Sequence, residues 1–272
     1  MVTISKTGEL PFELEWAIVE VTVRFYPEAA TALALVSFRF KVWVEALLYE
    51  TIVVDDPLTR PLLLLRTIDD RSPDFFARTV KRVYITTSIM YHDAARILTV
   101  CSGATDITCW TCPGPEFPNF DRVRRLSFDA PSLLFSPRNF PHLTHLDLVN
   151  PSPNTNLQAW TKFFTGLPVL THVSFGNLYA REPVDHRPLI PLFTMLLKGE
   201  TGHALALLVI ISDDEDFVPL LREEADDARV VVLPQFNYPR TLEKYWQDVQ
   251  RGGPDFWGVA ESMLTGASRT TR

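Results

Sequence analysis

The sequence predicts an α/β protein. A helical unit covers residues 8–50, and a parallel sheet built from irregular strand-and-crossover repeats covers residues 51–267. Three observations carry this prediction. Apolar residues recur at helical spacing up to about residue 49 and at alternate positions beyond it. An apolar-x-x-apolar-x-apolar template then returns at steps of 24, 19, 20 and 27 residues, counted on positions 83, 107, 126, 146 and 173. Helical segments separate many of the strands, and that alternation builds parallel sheets with right-handed crossovers.

The elements follow in order. Leu14, Ala17, Ile18, Val21 and Phe25 lie at helical spacing, and Pro11 suits a first turn, where its missing N–H costs nothing. Pro27 interrupts. Leu33, Val36, Phe40, Trp43 and Leu47 then supply about one apolar residue per turn, which predicts one or two more helices. Residues 51–54 are a β-branched run stopped by Asp55, Asp56 and Pro57, a strand with its terminator. Residues 62–68 read as a helix, 80–85 as a strand and 93–101 as a helix. Strands are expected within 104–109, 123–128, 143–148, 170–175, 204–211 and 229–233, with helices around 156–166, 189–198 and 214–227. Lys198 before Gly199 is a sensible helix end. The spacing and the L-x-x-L-x-L core match the leucine-rich-repeat signature, with only Asn150 and Asn177 in place of its downstream asparagines. A curved solenoid and an open α/β sheet both satisfy the alternation, and the repeats favour the solenoid.

Composition narrows the function. The 26 basic and 33 acidic residues give a net charge of −7, which supplies neither the basic footprint of a non-specific nucleic-acid binder nor attraction to an anionic membrane. The longest apolar run, residues 204–211, is too short for the roughly 20 residues of a membrane span. The first residues lack the apolar core of a secretory signal, so a cytoplasmic or nuclear location is expected, with Cys101, Cys109 and Cys112 as reduced thiols. With only 11 glycines, phosphate-cradling loops are scarce, and neither G-x-G-x-x-G nor G-x-x-x-x-G-K-[ST] occurs. G-x-S-x-G and H-E-x-x-H are missing too. The expectation is a non-catalytic protein with no cofactor and no metal.

The segments Leu10-Pro-Phe-Glu-Leu14, Ile18, residues 32–36, Trp43 and residues 47–49 together resemble an F-box. Coupled to degenerate leucine-rich repeats, the chain resembles the F-box-like proteins abundant in mushroom-forming fungi. Residues 43–49, the Leu-Thr-His motifs at 143 and 170, and residues 255–261 add to that likeness. The resemblance implies a receptor subunit of a Skp–cullin–F-box ubiquitin ligase. Its N-terminal helices would dock on a Skp-type linker protein through Leu10, Pro11, Leu14, Ile18 and Val36, and its repeats would hold an unknown target protein. The sequence departs from the family at Ser37 and Phe40, where Cys and Trp are usual. The alternative is an interaction or scaffold protein whose F-box is only a structural cap.

In each repeat strand the third and fifth template positions face away from the apolar core. That places Arg82, Tyr84, Asp106, Trp110, Arg125, Asp129, His145, Asp147 and His172 on a concave face, the expected target surface, with Thr86, Thr108, Ser127 and Ser174 among them. His145 and His172 share one repeat position, so architecture explains their recurrence better than metal ligation. Cys109-Trp-Thr-Cys112 leaves a strand and enters a Pro-Gly-Pro loop, which favours structural cysteines over a redox pair or zinc ligands. Ser212 and Glu215 read as a capping box rather than part of a cation site.

Overall fold

The computed structural model describes all residues except 1–9, 55–59, 87–88, 112–118, 130–135, 152–155, 177–186, 213, 215, 235–244, 246–247, 250–252 and 271–272. The chain separates into two compact units, Met1–Thr51 and Ile52–Arg272.

In the first unit, α1 (Phe12–Phe25) is followed by a 3-10 turn (Pro27–Ala29), α2 (Ala30–Ala34) and α3 (Phe38–Leu48). Its core is Val19, Val23, Ala30, Trp43 and Val44, flanked by Trp16, Leu33, Phe40 and Leu47. Trp43 is the hub, meeting Phe12 and Trp16 edge-on at 4.9 and 5.4 Å. Ser37, standing where the resemblance would place a Cys, is the N-cap of α3: its side chain accepts from the Phe40 N–H at 3.2 Å. Ser37→Ala should therefore cost about 1 kcal/mol of stability in a denaturation titration, and an unchanged midpoint would deny the cap its role.

The second unit is one eight-stranded sheet: β1 (Thr51–Val54), β2 (Arg82–Ile85), β3 (Asp106–Cys109), β4 (Arg125–Asp129), β5 (His145–Val149), β6 (His172–Gly176), β7 (Leu207–Ile211) and β8 (Val230–Leu233). Strand order equals sequence order, and β2 to β8 pair in parallel. The helices between strands are α4 (Arg60–Asp70), α5 (Pro73–Thr79), α6 (Tyr91–Val100), α7 (Leu157–Thr165), α8 (Ile190–Leu197) and α9 (Phe217–Glu224); α10 (Phe256–Thr270) follows β8. Right-handed crossovers that always step to the next strand put every crossover on one face and leave the opposite face without any. The repeat steps set what fits in each crossover. Steps of 24 and 27 residues admit a helix, whereas between β3, β4 and β5 the described residues hold only a 3-10 turn (Pro137–Asn139).

The crossover face carries the continuous core: Val83, Ile107, Leu126, Leu146, Val173 and Leu208 form one buried cross-strand row. Packing against the helices is close. A Cβ on Gly103 would lie 1.8 Å from the Ala77 carbonyl oxygen, so only glycine fits. Gly199 takes a φ of 70°, the left-handed turn expected at the end of α8. Two helices escape the periodicity reading, α5 and α10. The capping box is corrected too: Asp214, not Ser212, accepts from the Phe217 N–H that opens α9, while Ser212 accepts from Asp214 N–H. Glu215 lies outside the described residues.

Candidate functional site

The crossover-free face is ordered in cross-strand rows. One row runs Arg82, Asp106, Arg125, His145, His172, Leu207. The next runs Tyr84, Thr108, Ser127, Asp147, Ser174, Val209, Val231. Both are polar or charged over β2–β6 and apolar over β7–β8. Helix α10 packs on the apolar end, where Trp257 and Ala260 join Leu207, Val209, Ile211, Val231 and Leu233 in one buried cluster.

Asp255 fixes where that helix begins. Its Oδ1 accepts from the Gly258 N–H at 2.8 Å, an N-cap bond, and its Oδ2 accepts from Arg125 Nη1 on β4. Tyr245 adds a second brace, its Oη accepting from the Phe256 N–H at 2.9 Å. Tyr245, Val249 and residues 253–257 thus overhang the polar end and, with the sheet, line a partly open cavity of about 380 Å³. The register is as the alternation predicts, and Arg82, Tyr84, Asp106, Trp110, Arg125 and Asp147 all line the cavity. Tyr84, Trp110 and Asp147, however, are buried. Asp129 lies outside the lining, with its Oδ1 accepting from Asn150 Nδ2 at 3.0 Å.

Asp147 is the deepest charged group on this face, 7% exposed. Trp110 Nε1 donates to Ser127 Oγ at 3.0 Å, and Ser127 Oγ donates to Asp147 Oδ2 at 2.6 Å. The other oxygen, Oδ1, and the Ser174 hydroxyl next to it in register are both buried away from solvent. Burial pushes the Asp147 carboxyl up to about 6, against the opposing hydroxyls of Ser127 and Ser174. Burial likewise raises Asp106 to about 6, with Arg125 and Arg82 pulling the other way.

His145 and His172 stack at 4.1 Å with their planes 11° apart, under the edge of Trp257. Glu261 on α10 approaches them, and one ligand atom from each of the three residues lies within 4.8 Å of the others. Each Nδ1 is 2.8 Å from the preceding threonine hydroxyl, Thr144 or Thr171. The rings are therefore anchored alike, and His172 Nε2 lies 3.3 Å from Glu261 Oε1. Burial and the neighbouring His172 push His145 down to about 3, so it is neutral at physiological pH.

Cys109 is buried at an inward repeat position, and Cys101 is buried with its thiol pushed up to about 12 by desolvation, which disfavours its thiolate. Cys112 lies outside the described residues. Among the described residues, no helix is long and apolar enough to cross a membrane. No family model matches the chain, and no curated protein matches it.

In the helical unit, α1 buries a stripe other than the periodicity suggests. Trp16, Val19 and Val23 turn to the core, while Leu14 and Ile18, each 51% exposed, and Val21 and Phe25 face outward. Leu10, Pro11 and Val36 are exposed as well. The sequence reading missed Tyr245, Asp255 and Trp257. A signal existed: Pro254-Asp255 precedes Phe256, Trp257, Ala260 and Leu264, a capped helix with apolar residues at i, i+1, i+4 and i+8.

Proposed function

We propose that this chain is a non-catalytic recognition adaptor. Its helical unit docks on a Skp-type linker protein, and the crossover-free face of its sheet unit recognises the target. The resemblance to F-box proteins with degenerate leucine-rich repeats supplies the partner class. The observation that carries the reading is the bare apolar stripe of α1. A helix in a unit of about 40 residues that buries Val19 and Val23 and still leaves Leu14, Ile18, Val21 and Phe25 to solvent has more apolar surface than its own core uses. Exposed apolar surface of that kind marks a protein interface. Leu10, Leu14, Ile18 and Val36, the positions that the resemblance assigns to linker contact, are all among the exposed residues.

The test is co-purification of the full chain with a Skp-type linker, compared with the double variant Leu14→Asp, Ile18→Asp. The variant should capture at least tenfold less linker. Its melting temperature should stay within about 2 °C of the parent, because half-exposed positions outside the core change stability little. Undiminished capture by the variant, or none by the folded parent, overturns the linker assignment; the latter result would leave the helical unit as the cap of a scaffold protein.

A further inference from the structure

We infer that His145 on β5, His172 on β6 and Glu261 on α10 form a binding site for a divalent transition-metal ion, zinc foremost, which clamps α10 onto the sheet. The site goes beyond the recognition role and does not depend on it. It also revises the sequence expectation of a chain without a metal.

The argument begins with where each histidine keeps its proton. Thr144 Oγ1 lies 3.0 Å from the Arg124 carbonyl oxygen, and Thr171 Oγ1 lies 3.2 Å from the Thr144 carbonyl oxygen. In each pair of oxygens only the hydroxyl has a hydrogen to place between them, so that hydrogen is spent on the carbonyl. The same hydroxyl lies 2.8 Å from the Nδ1 of the histidine that follows it, and there it is left to accept. Both rings therefore carry their proton on Nδ1 and present a bare lone pair at Nε2. That is the tautomer of a metal-ligating histidine whose other nitrogen is held by an outer partner.

The lone pairs meet a third acceptor. His172 Nε2 lies 3.3 Å from Glu261 Oε1, and one ligand atom from each of the three residues lies within 4.8 Å of the others. A neutral imidazole nitrogen and a carboxylate oxygen have no hydrogen to share. A cation between them replaces a repulsion with two bonds. The shared repeat position explains why two histidines stand side by side. It does not explain why both offer the same bare nitrogen beside a carboxylate from another element. Two imidazoles and one carboxylate are the ligand set of an open zinc site, with a water in the fourth position. Tetrahedral zinc with bonds of about 2.1 Å sets its ligand atoms about 3.4 Å apart. The edge between His172 and Glu261 already has that length, and small rotations of the side chains close the rest.

The surroundings suit an ion. Glu261 stands one turn beyond Trp257 on α10, so indole and carboxylate reach the same two rings. Arg125 neighbours His145 in the cross-strand row, but its charge is answered by Asp255. The Glu261 side chain is 52% exposed, which opens the site to solvent.

The experiment is a zinc titration of the purified full chain at pH 7.5, stripped of metal with a chelator and competed against a chromophoric indicator. The parent should bind one Zn²⁺ with micromolar or tighter affinity. Glu261→Ala and His172→Gln should each weaken that affinity at least tenfold. Glu261 is exposed, so its replacement should leave the metal-free melting temperature within about 2 °C of the parent, and it keeps the test decisive if His172→Gln fails to fold. Free zinc at about one hundred times Kd should raise the melting temperature of the parent by roughly 5–10 °C, because the ion binds only where helix and strands meet. The same zinc concentration should raise that of Glu261→Ala far less. No micromolar binding by the folded parent, binding unchanged in Glu261→Ala, or binding without a rise in melting temperature would each overturn the inference. The titration involves no linker, so its failure and a failure of linker docking are read separately.

Discussion

Trp257→Ala should lower the unfolding free energy by about 3–5 kcal/mol, the usual cost of removing a buried aromatic side chain. For a chain of this size that corresponds to a fall in melting temperature of roughly 10 °C. Both neighbourhoods of Trp257 contribute. On one side it packs against Leu207, Val209 and Ile211 of the sheet, and on the other its edge meets the stacked rings of His145 and His172. An alanine leaves a void that neither the strands nor the imidazoles can fill, and it loosens the roof of the cavity. Differential scanning calorimetry measures the effect. A loss below about 1 kcal/mol would mean that α10 does not dock on the sheet as described.

Asp147→Asn should act in the opposite direction. The native carboxyl titrates at about 6, above the ordinary value of 3.8. Because the folded value is the higher one, the contribution of this group to stability is fully present below about pH 3.8 and is lost as the pH rises through 6. A rise of that size corresponds to a penalty of about 3 kcal/mol at neutral pH. Asparagine removes that penalty and gives back part of the gain through its own buried amide, so a net rise of about 2 kcal/mol is expected at pH 7.5, or roughly 4–8 °C. At pH 4 the two proteins should differ little. His145 runs the other way: its neutral form is favoured by folding, so stability rises with pH between about 3 and 6.5. The parent protein alone would therefore show a flattened pH profile, and only the comparison at each pH isolates Asp147. A destabilised variant at pH 7.5, or an equal gain at both pH values, would contradict the raised titration of this buried carboxyl.

The fold was legible where one face of a strand is apolar and the other polar. In β5, Leu146 and Leu148 alternate with His145 and Asp147, and the alternation supplied both the strand and its register. Strand β7 also carried a message. Leu207 and Val209 are apolar at the positions where β5 is polar, which calls for a cover on the second face. What that cover was could not be read from the local pattern. The clamp between Arg125 and Asp255 joins residues 130 positions apart, and no spacing rule reaches that far. For the same reason, the lining residues of the sheet were found in sequence and the roof was not. Helix α1 failed differently. It carries apolar residues on two stripes, so periodicity identified the helix without selecting the stripe that faces its core.

During synthesis, each strand of this sheet meets its neighbour soon after leaving the ribosome, since no pairing skips a strand. The sheet can therefore be laid down in order, one repeat on the last. Its roof is a late arrival: Tyr245 and the start of α10 emerge only after all eight strands. Until then the apolar ends of β7 and β8 lie bare. The interval between β8 and α10 is also when the exposed strand residues are most open to chaperones or to misassociation.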